Sequence, residues 1–580
     1  MKQFLKPPVY WLSLLALVTS FTATAQLGEV YYGPTTSSST VNHGVGTGVQ
    51  AFSIFTGGSY DGFTYGIGVD NFIGPNGAAG AQEIGGIIAP IFDTLNLNNG
   101  ATSVFNITNT AGILVNGGLA YNNGITSTLR TNRTVGLAAA IQFLGTAVYT
   151  PALTPAIGTD VVFTDGFVSK VNPAAFVYPV GNVTDLRPIT ATGTGTFATA
   201  WSNVNVATPY PYTPSTLPIG TKTLNTNGYW EWSGTAAATA TLSIPDETAF
   251  TTANKLSVMA YNGTAWKNIG GTFTTNTENS TNTAVVTVPA TTQALALGQT
   301  VDYVTVKTKA FLQGATNSGV MSNLLNTLNI IPLTQPYTSA PFGSAGNGYS
   351  GTESVAVGFF STHTNIVDWI LVELRDSVNA ASILATRAAF LTTSGAIVDL
   401  DGTSDVSFLG AVAGTSNGIP SKGYYIAIRH RNHLGIRTAT TQALSTTGTL
   451  YDFSLATTQA NGTNSMKNLG NGVFAMWAGN VEYTANASSK QVINYGGSVS
   501  DAARIQAFLT TAVGNTLHVT TFTGASMTGI YNNYDVNLDG NIRYGGTASV
   551  SDVVLVQSNV TNFPSNTLHT TTYTGLVENF

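Results

Sequence analysis

Apolar residues come along this chain in short clusters, separated by Gly, Asn and Thr. Between residues 91 and 150 the clusters are Phe92/Leu95/Leu97, Val104/Phe105/Ile107, Ile113/Leu114/Val115, Leu119/Tyr121 and Ile125/Leu129. The pairs Asn99-Gly100, Gly117-Gly118 and Asn123-Gly124 lie between several of them. Such pairs supply the positive φ that a tight turn needs. The pattern predicts short strands, either stacked as a solenoid or folded as a sandwich. Further on, Tyr229-Trp230-Glu231-Trp232, Val285 to Val288 and Val301 to Val306 alternate as strands do, and Tyr261 to Trp266 (YNGTAW) reads as a hairpin. Val367 to Asp376 reads as a strand apolar on both faces near its centre. Ile383 to Leu391 and Tyr424 to Leu434 extend that sheet. Helical periodicity is confined to 321–330, ended by Pro332, and to segments near 501–509 and 552–560.

These changes of pattern predict a mainly β, multidomain chain. Its parts are a signal peptide (1–25), a Gly/Asn-rich β domain that is a β-solenoid or sandwich (26–206), a β-sandwich (207–310), a β domain with one short helix (311–455) and a small C-terminal repeat module with short helices (456–580). The leader is read from Lys2 and Lys6, the apolar run Val9 to Phe21 and Ala23-Thr24-Ala25, with cleavage expected before Gln26. That run is too short to span a membrane, and no transmembrane anchor is expected in the mature chain.

Composition narrows the function. Only 8 % of residues are charged while 43 % are hydrophobic, which argues for packed cores rather than disorder. The net charge of −6, without Lys/Arg clusters, does not suit nucleic acid. There is no cysteine, so a secreted chain of this kind is held by burial alone. Neither His-Glu-x-x-His, nor Gly-x-Ser-x-Gly, nor a phosphate loop is present. Trp230, Trp232 and Trp266 are read as packing residues, with sugar contact the alternative.

Two constellations carry candidate chemistry. The first lies in an internal duplication. Ser498 to Asp501 (SVSD) returns as Ser549 to Asp552, and Asn515-Thr516-Leu517-His518 returns as Asn566-Thr567-Leu568-His569, both offset by 51 residues. The second copy contains Asp535-Val536-Asn537-Leu538-Asp539-Gly540-Asn541-Ile542. Oxygen donors at alternate positions suit calcium, through Asp535, Asn537, Asp539, the Asn541 carbonyl and Asp552 at the start of the following helix; Ile542 would pin the loop to a core. An Asx-rich turn without an ion is the plainer reading. Aligned on Tyr495-Gly496-Gly497 and Tyr544-Gly545-Gly546, which lie 49 residues apart, the corresponding positions of the first copy are Asn486, Ser488 and Lys490, and the lysine predicts no ion there. The second constellation is Arg429-His430-Arg431-Asn432-His433. Strand alternation would put Arg429, Arg431 and His433 on one face, either as a ligand-binding site for an acidic glycan or a metal, or paired with Asp368, Glu373 or Asp452.

The loop at 535–542 resembles those of EF-hand and dockerin modules, from which it departs at the twelfth position, Gly546. The segments Asp165 to Lys170, Phe176 to Asn182 and Leu186 to Ile189 resemble a recurrent segment of secreted Bacteroidota surface proteins, read as two strands around a Pro-Val-Gly turn. The region 311–455, from the helical pattern at 321–330 through the strands at 367–376, 383–391 and 424–434 to Tyr451-Asp452-Phe453, resembles the region before the C-terminal repeats in Bacteroidota surface proteins of the hemagglutinin-like kind. The resemblance implies an extracellular or outer-cell-surface protein, structural or adhesive and not an enzyme, whose partner is a surface glycan or another surface protein. A secreted polysaccharide-active hydrolase with a dockerin-like tail is the alternative.

Overall fold

The computed structural model describes residues 28–31, 34–36, 40–43, 50–54, 59–61, 69–73, 82–98, 104–152, 162–182, 185–213, 216–243, 256–273, 283–317, 319–339, 341–343, 348–409, 418–481 and 491–580. The leader and the ion-loop positions of the first repeat copy lie outside them. The fold is mostly β, with 41 % of residues in strands and 10 % in helices. It divides into two compact units, 1–300 and 301–580.

In the first unit the short clusters form parallel strands. One seven-stranded sheet runs Gly28–Tyr31, Gln50–Ile54, Gln82–Gly86, Val104–Ile107, Ile125–Thr128, Thr164–Asp165 and Val180–Gly181. A second sheet takes one parallel strand from each return of the chain, including Ile91–Asn98, Ile113–Asn123, Ile141–Phe143 and Val168–Val171. Register sets like upon like: Phe92 beside Val115 beside Phe143, Leu95 beside Leu119 beside Tyr149, and Phe72 beside Leu97 beside Tyr121. All of these are buried. Strands this short bury too little alone, and stacking supplies the missing neighbours above and below. Lys170 continues the Phe92 row; its stem fills the apolar position while its ammonium donates to the carbonyls of Gly145 (2.7 Å) and Ala147 (2.8 Å).

The parallel order ends at Val168–Val171, which pairs antiparallel with Thr196–Ser202; Tyr229–Gly234, Ala294–Thr300, Leu256–Tyr261 and Trp266–Phe273 follow. This pairing runs straight through the boundary expected at 206–207. A four-stranded antiparallel sheet (Phe176–Tyr178, Ile189–Thr192, Ala238–Ser243, Thr283–Val288) shares the same core. Around Pro179 the chain makes no hairpin: Phe176–Tyr178 belongs to the four-stranded sheet and Val180–Gly181 to the seven-stranded one. The hairpin at 261–266 does form, with the Asn262 side chain accepting from the backbone N–H of Thr264 and Ala265. Trp230, Trp232 and Trp266 are buried, so their faces pack rather than meet solvent.

The second unit is built on a nine-stranded sheet. Its central strand, Ile366–Arg375, is buried at every residue and lies between Ile383–Thr392 and Lys422–His430. Lys422–His430 then hairpins into His433–Arg437. The helix expected over 321–330 shrinks to Leu324–Thr327. Val320–Met321 is drawn into a short strand pair, Asn323 provides no side-chain cap, and Asn329 ends the turn with a left-handed φ of 55°. The two repeat helices, Asp501–Thr510 and Asp552–Thr561, stand where the duplication predicts them, capped by Ser500 and Ser551. Leu538 of the second copy packs into the sheet's core, and Leu434 of the sheet packs among the repeat's residues. This interleaving makes 301–580 one compact body.

Gly117 and Gly118 separate two demands on the parallel stack. A Cβ at Gly117 would lie 2.6 Å from the Asp93 carbonyl oxygen of the neighbouring strand, whereas one at Gly118 would meet nothing closer than 3.6 Å. Gly117→Ala should destabilise the first unit by about 1–3 kcal/mol, the cost typical of overpacking, and lower its unfolding midpoint. Gly118→Ala should change it little. Paired thermal melts of the two variants check this.

Candidate metal centre

The duplication is repeated in atomic detail. Ser500 Oγ and Ser551 Oγ each accept from the N–H three residues on, and each donates back to the preceding loop. Asn515 and Asn566 each donate to two carbonyls, Leu509 and Val519 in one copy, Val560 and Thr570 in the other. The acids at the first helical position do the same work. Asp501 accepts from the N–H of Val481 (2.7 Å) and Asn494 (2.6 Å). Asp552 accepts from Val536 N–H (2.8 Å) and Arg543 N–H (2.7 Å). Stapling the loop to the helix start is thus a structural duty common to both copies, and whatever is special to the second copy lies in what faces Asp552.

What faces it is the loop 535–541. Asp535 is fully buried; its carboxylate accepts from Asp539 N–H (3.1 Å) and Gly540 N–H (2.8 Å). Gly540 holds φ at +75°, and a Cβ there would press to 2.6 Å from Leu328. Asn537 Oδ1 accepts from Asp539 N–H at 3.2 Å, while its buried Nδ2 has no partner. Asp539 accepts from Asn541 N–H (2.8 Å) and turns its second oxygen to Arg543 (2.7 Å). Asn541 returns its amide to the Asp539 carbonyl at 3.0 Å. Ile542 is buried in the repeat's core, the anchor its position predicts.

The electrostatics of this loop are unbalanced. Burial pushes the Asp535 carboxyl up to about 7; Arg431 opposes this and Asp539 adds to it. Burial, then the neighbouring Asp535 charge, raises Asp552 well above the carboxylate range. Among the described residues no three acidic or imidazole groups converge into a finished cage. The geometry supplies a reason, since Asp539 is held by Arg543. That ion pair is partly exposed, and such pairs are weak. The donor set of two buried carboxylates, a third within the loop and the Asn537 amide oxygen fits a hard, oxygen-seeking cation.

The second constellation is placed differently from its strand reading. The strand ends at His430, and Arg431-Asn432 form the hairpin turn, so the alternation that would align Arg429, Arg431 and His433 is broken. All five residues from Arg429 to His433 are buried. Arg429 pairs with Glu373 (2.7 Å) and with Glu578 (3.1 Å), beneath the ring of Phe580. Arg431 and His430 share Asp368, each at 3.1 Å, and Tyr531 donates to the other oxygen of that carboxylate at 2.7 Å. Asp452 takes no part and lies 3.6 Å from Lys309.

One proton arrangement satisfies the two imidazoles. Gly314 N–H donates to His433 Nε2, so His433 carries its proton on Nδ1 and donates to His430 Nδ1 (3.1 Å) and Asn432 Oδ1 (2.8 Å). His430 then donates from Nε2 to Asp368. Both rings are neutral in this scheme. Burial lowers both, His433 further because His430 and Arg431 lie beside it. Burial alone would raise Asp368, but Arg431, His430 and Tyr531 outweigh it and hold the carboxylate below its usual range. Glu578 and Tyr531 had no local signal in sequence: they meet Arg429 and Asp368 across 149 and 163 residues.

No protein-family model, no curated protein and no solved structure matches this chain.

Removing Arg431 would leave Asp368 buried without its strongest opposite charge. Arg431→Ala should therefore destabilise the second unit by about 3–5 kcal/mol, the range for breaking one partner of a buried pair. The partly exposed pair Arg543–Asp539 should cost about 1 kcal/mol or less when Arg543 is replaced by Ala. Denaturant titration of the two variants tests the difference.

Proposed function

We propose that this chain is a secreted structural or adhesive protein of the outer cell surface, with a calcium-stabilised C-terminal module, that engages a surface glycan or another surface protein. One observation carries the calcium reading: Asp535 of the loop and Asp552 at the helix start are both buried, close enough that the charge of one raises the other, and Asn537, Asp539 and Asn541 of the same loop add oxygen donors. Two such carboxylates repel when both are ionised, and a bound cation removes that repulsion. Asp535, Asn537, Asp539, the Asn541 carbonyl and Asp552 would hold the ion. Bound to the folded state alone, calcium stabilises by about 2.7 kcal/mol at a hundredfold excess over Kd.

The adhesive reading is supported by how the charged groups are spent. The Arg/His constellation that sequence offers as a ligand site is engaged within the fold, and the first unit is a scaffold of parallel strands stacked in register. Loops on a rigid scaffold are where recognition commonly resides.

Two measurements follow. Calcium affinity should rise with pH, because the ion takes only the ionised carboxylates. A carboxyl raised to about 7 is mostly protonated at pH 6 and mostly ionised at pH 8, so Asp535 alone contributes roughly a tenfold gain over that interval. Calorimetry in buffers of different ionisation enthalpy should show proton release on binding; no heat at millimolar calcium would refute the site. The mature chain should also bind members of a glycan and polysaccharide panel without turning them over. Release of shortened products would replace the adhesive reading with that of a hydrolase.

A further inference from the structure

We infer that Asn432, at the turn of the sheet's hairpin, is a positioning residue for the cation loop, so that ion affinity is set partly from the sheet. This rests on the calcium reading above. Asn432 is fully buried, and its Nδ2 donates to the main-chain carbonyl of Asp535 at 2.6 Å. Its own carbonyl accepts from Gly479 N–H (2.9 Å) and Asn480 N–H (3.0 Å), and its Oδ1 faces His433, so the side chain has one orientation available. Next to it, the Arg431 guanidinium donates to the carbonyl of Asn532 and stacks 4.3 Å from the Tyr531 ring. The loop backbone also rides directly on Gly314, where a Cβ would lie 2.0 Å from the Val536 carbonyl oxygen.

These contacts hold the main chain of the loop rather than its side-chain donors. Asp535 is pinned at both ends, its carboxylate by the N–H groups of Asp539 and Gly540, its carbonyl by Asn432. Without that amide the carbonyl would be buried with one donor fewer, and the loop would shift to recover a partner. Calcium needs its oxygens together at 2.3–2.6 Å, so a small displacement of Asp535 loosens the whole set. Partners that orient ligands without touching the metal typically contribute about 10–100-fold in affinity.

The test is calorimetric calcium titration of the full chain, comparing wild type, Asn432→Ala and Asn559→Ala. Asn559 is also a buried amide of the second unit. It donates to Gln313 Oε1 (2.9 Å) and the Ala478 carbonyl (2.8 Å), anchoring the second repeat helix without bonding to the loop. Asn432→Ala should weaken calcium binding about tenfold or more, while Asn559→Ala should stay within about twofold of wild type. If Asn432→Ala does not fold by circular dichroism in chelator, Asn432→Ser, which keeps a shorter donor, is measured in its place and should show a partial loss. Wild-type affinity in the folded 432 variant, or an equal loss in Asn559→Ala, overturns the inference. If the wild type itself binds no calcium, the calcium reading fails, and this inference fails with it.

Discussion

Asp368 has no contact with water, and the second unit is organised around keeping it ionised. The central strand carries it inward, and an arginine and a histidine from the hairpin and a tyrosine from the repeat converge on it. A buried carboxylate pays a desolvation penalty of several kcal/mol that only close, well-oriented partners offset. Because those partners come from segments more than sixty and more than a hundred and sixty residues further along the chain, satisfying this one group forces sheet and repeat together. Glu373 acts in parallel through Arg429, which also takes Glu578.

The duplication provides an internal control for the role of each residue. Ser500, Asp501 and Asn515 repeat the bonds of Ser551, Asp552 and Asn566. These bonds therefore belong to the helix caps and loop staples. The second copy adds a carboxylate, Asp535, that the fold leaves with too little positive charge nearby. Structural economy accounts for the first set and not for the second. The same comparison explains why the module is not a loose appendage: its loop backbone is bonded by the sheet's turn, and Leu538 is buried in the sheet's core.

The first unit solves a different problem, mainly by stacking apolar rows, with no cysteine to cross-link it. Clusters of a few apolar residues cannot fold singly, and parallel return of the chain in register lets each bury against the next. The register bonds Phe, Leu and Tyr rows along the stack, and the point where antiparallel strands take over shares that core rather than starting another.

By itself the sequence determined the mostly β character, the strand Val367 to Asp376, the start of a strand at Tyr424, the two helices of the repeat and the oxygen-rich loop at 535–541. Each is a local matter of period, cap or turn residue. Local pattern left open whether residues 91–150 stack or form a sandwich, since both bury alternate apolar positions and differ only in which strand lies alongside. It placed Arg429, Arg431 and His433 on one face because a turn at Arg431-Asn432, lacking Gly, has no strong local signal. Only the tertiary structure decided that this turn is the junction between sheet and repeat. The pairings of Asp368 with Tyr531 and Arg429 with Glu578, and the grip of Asn432 on Asp535, join residues a hundred or more positions apart. Their physical origin is the requirement that buried charge and buried amides find partners, a condition set by the packed interior and invisible to neighbours along the chain.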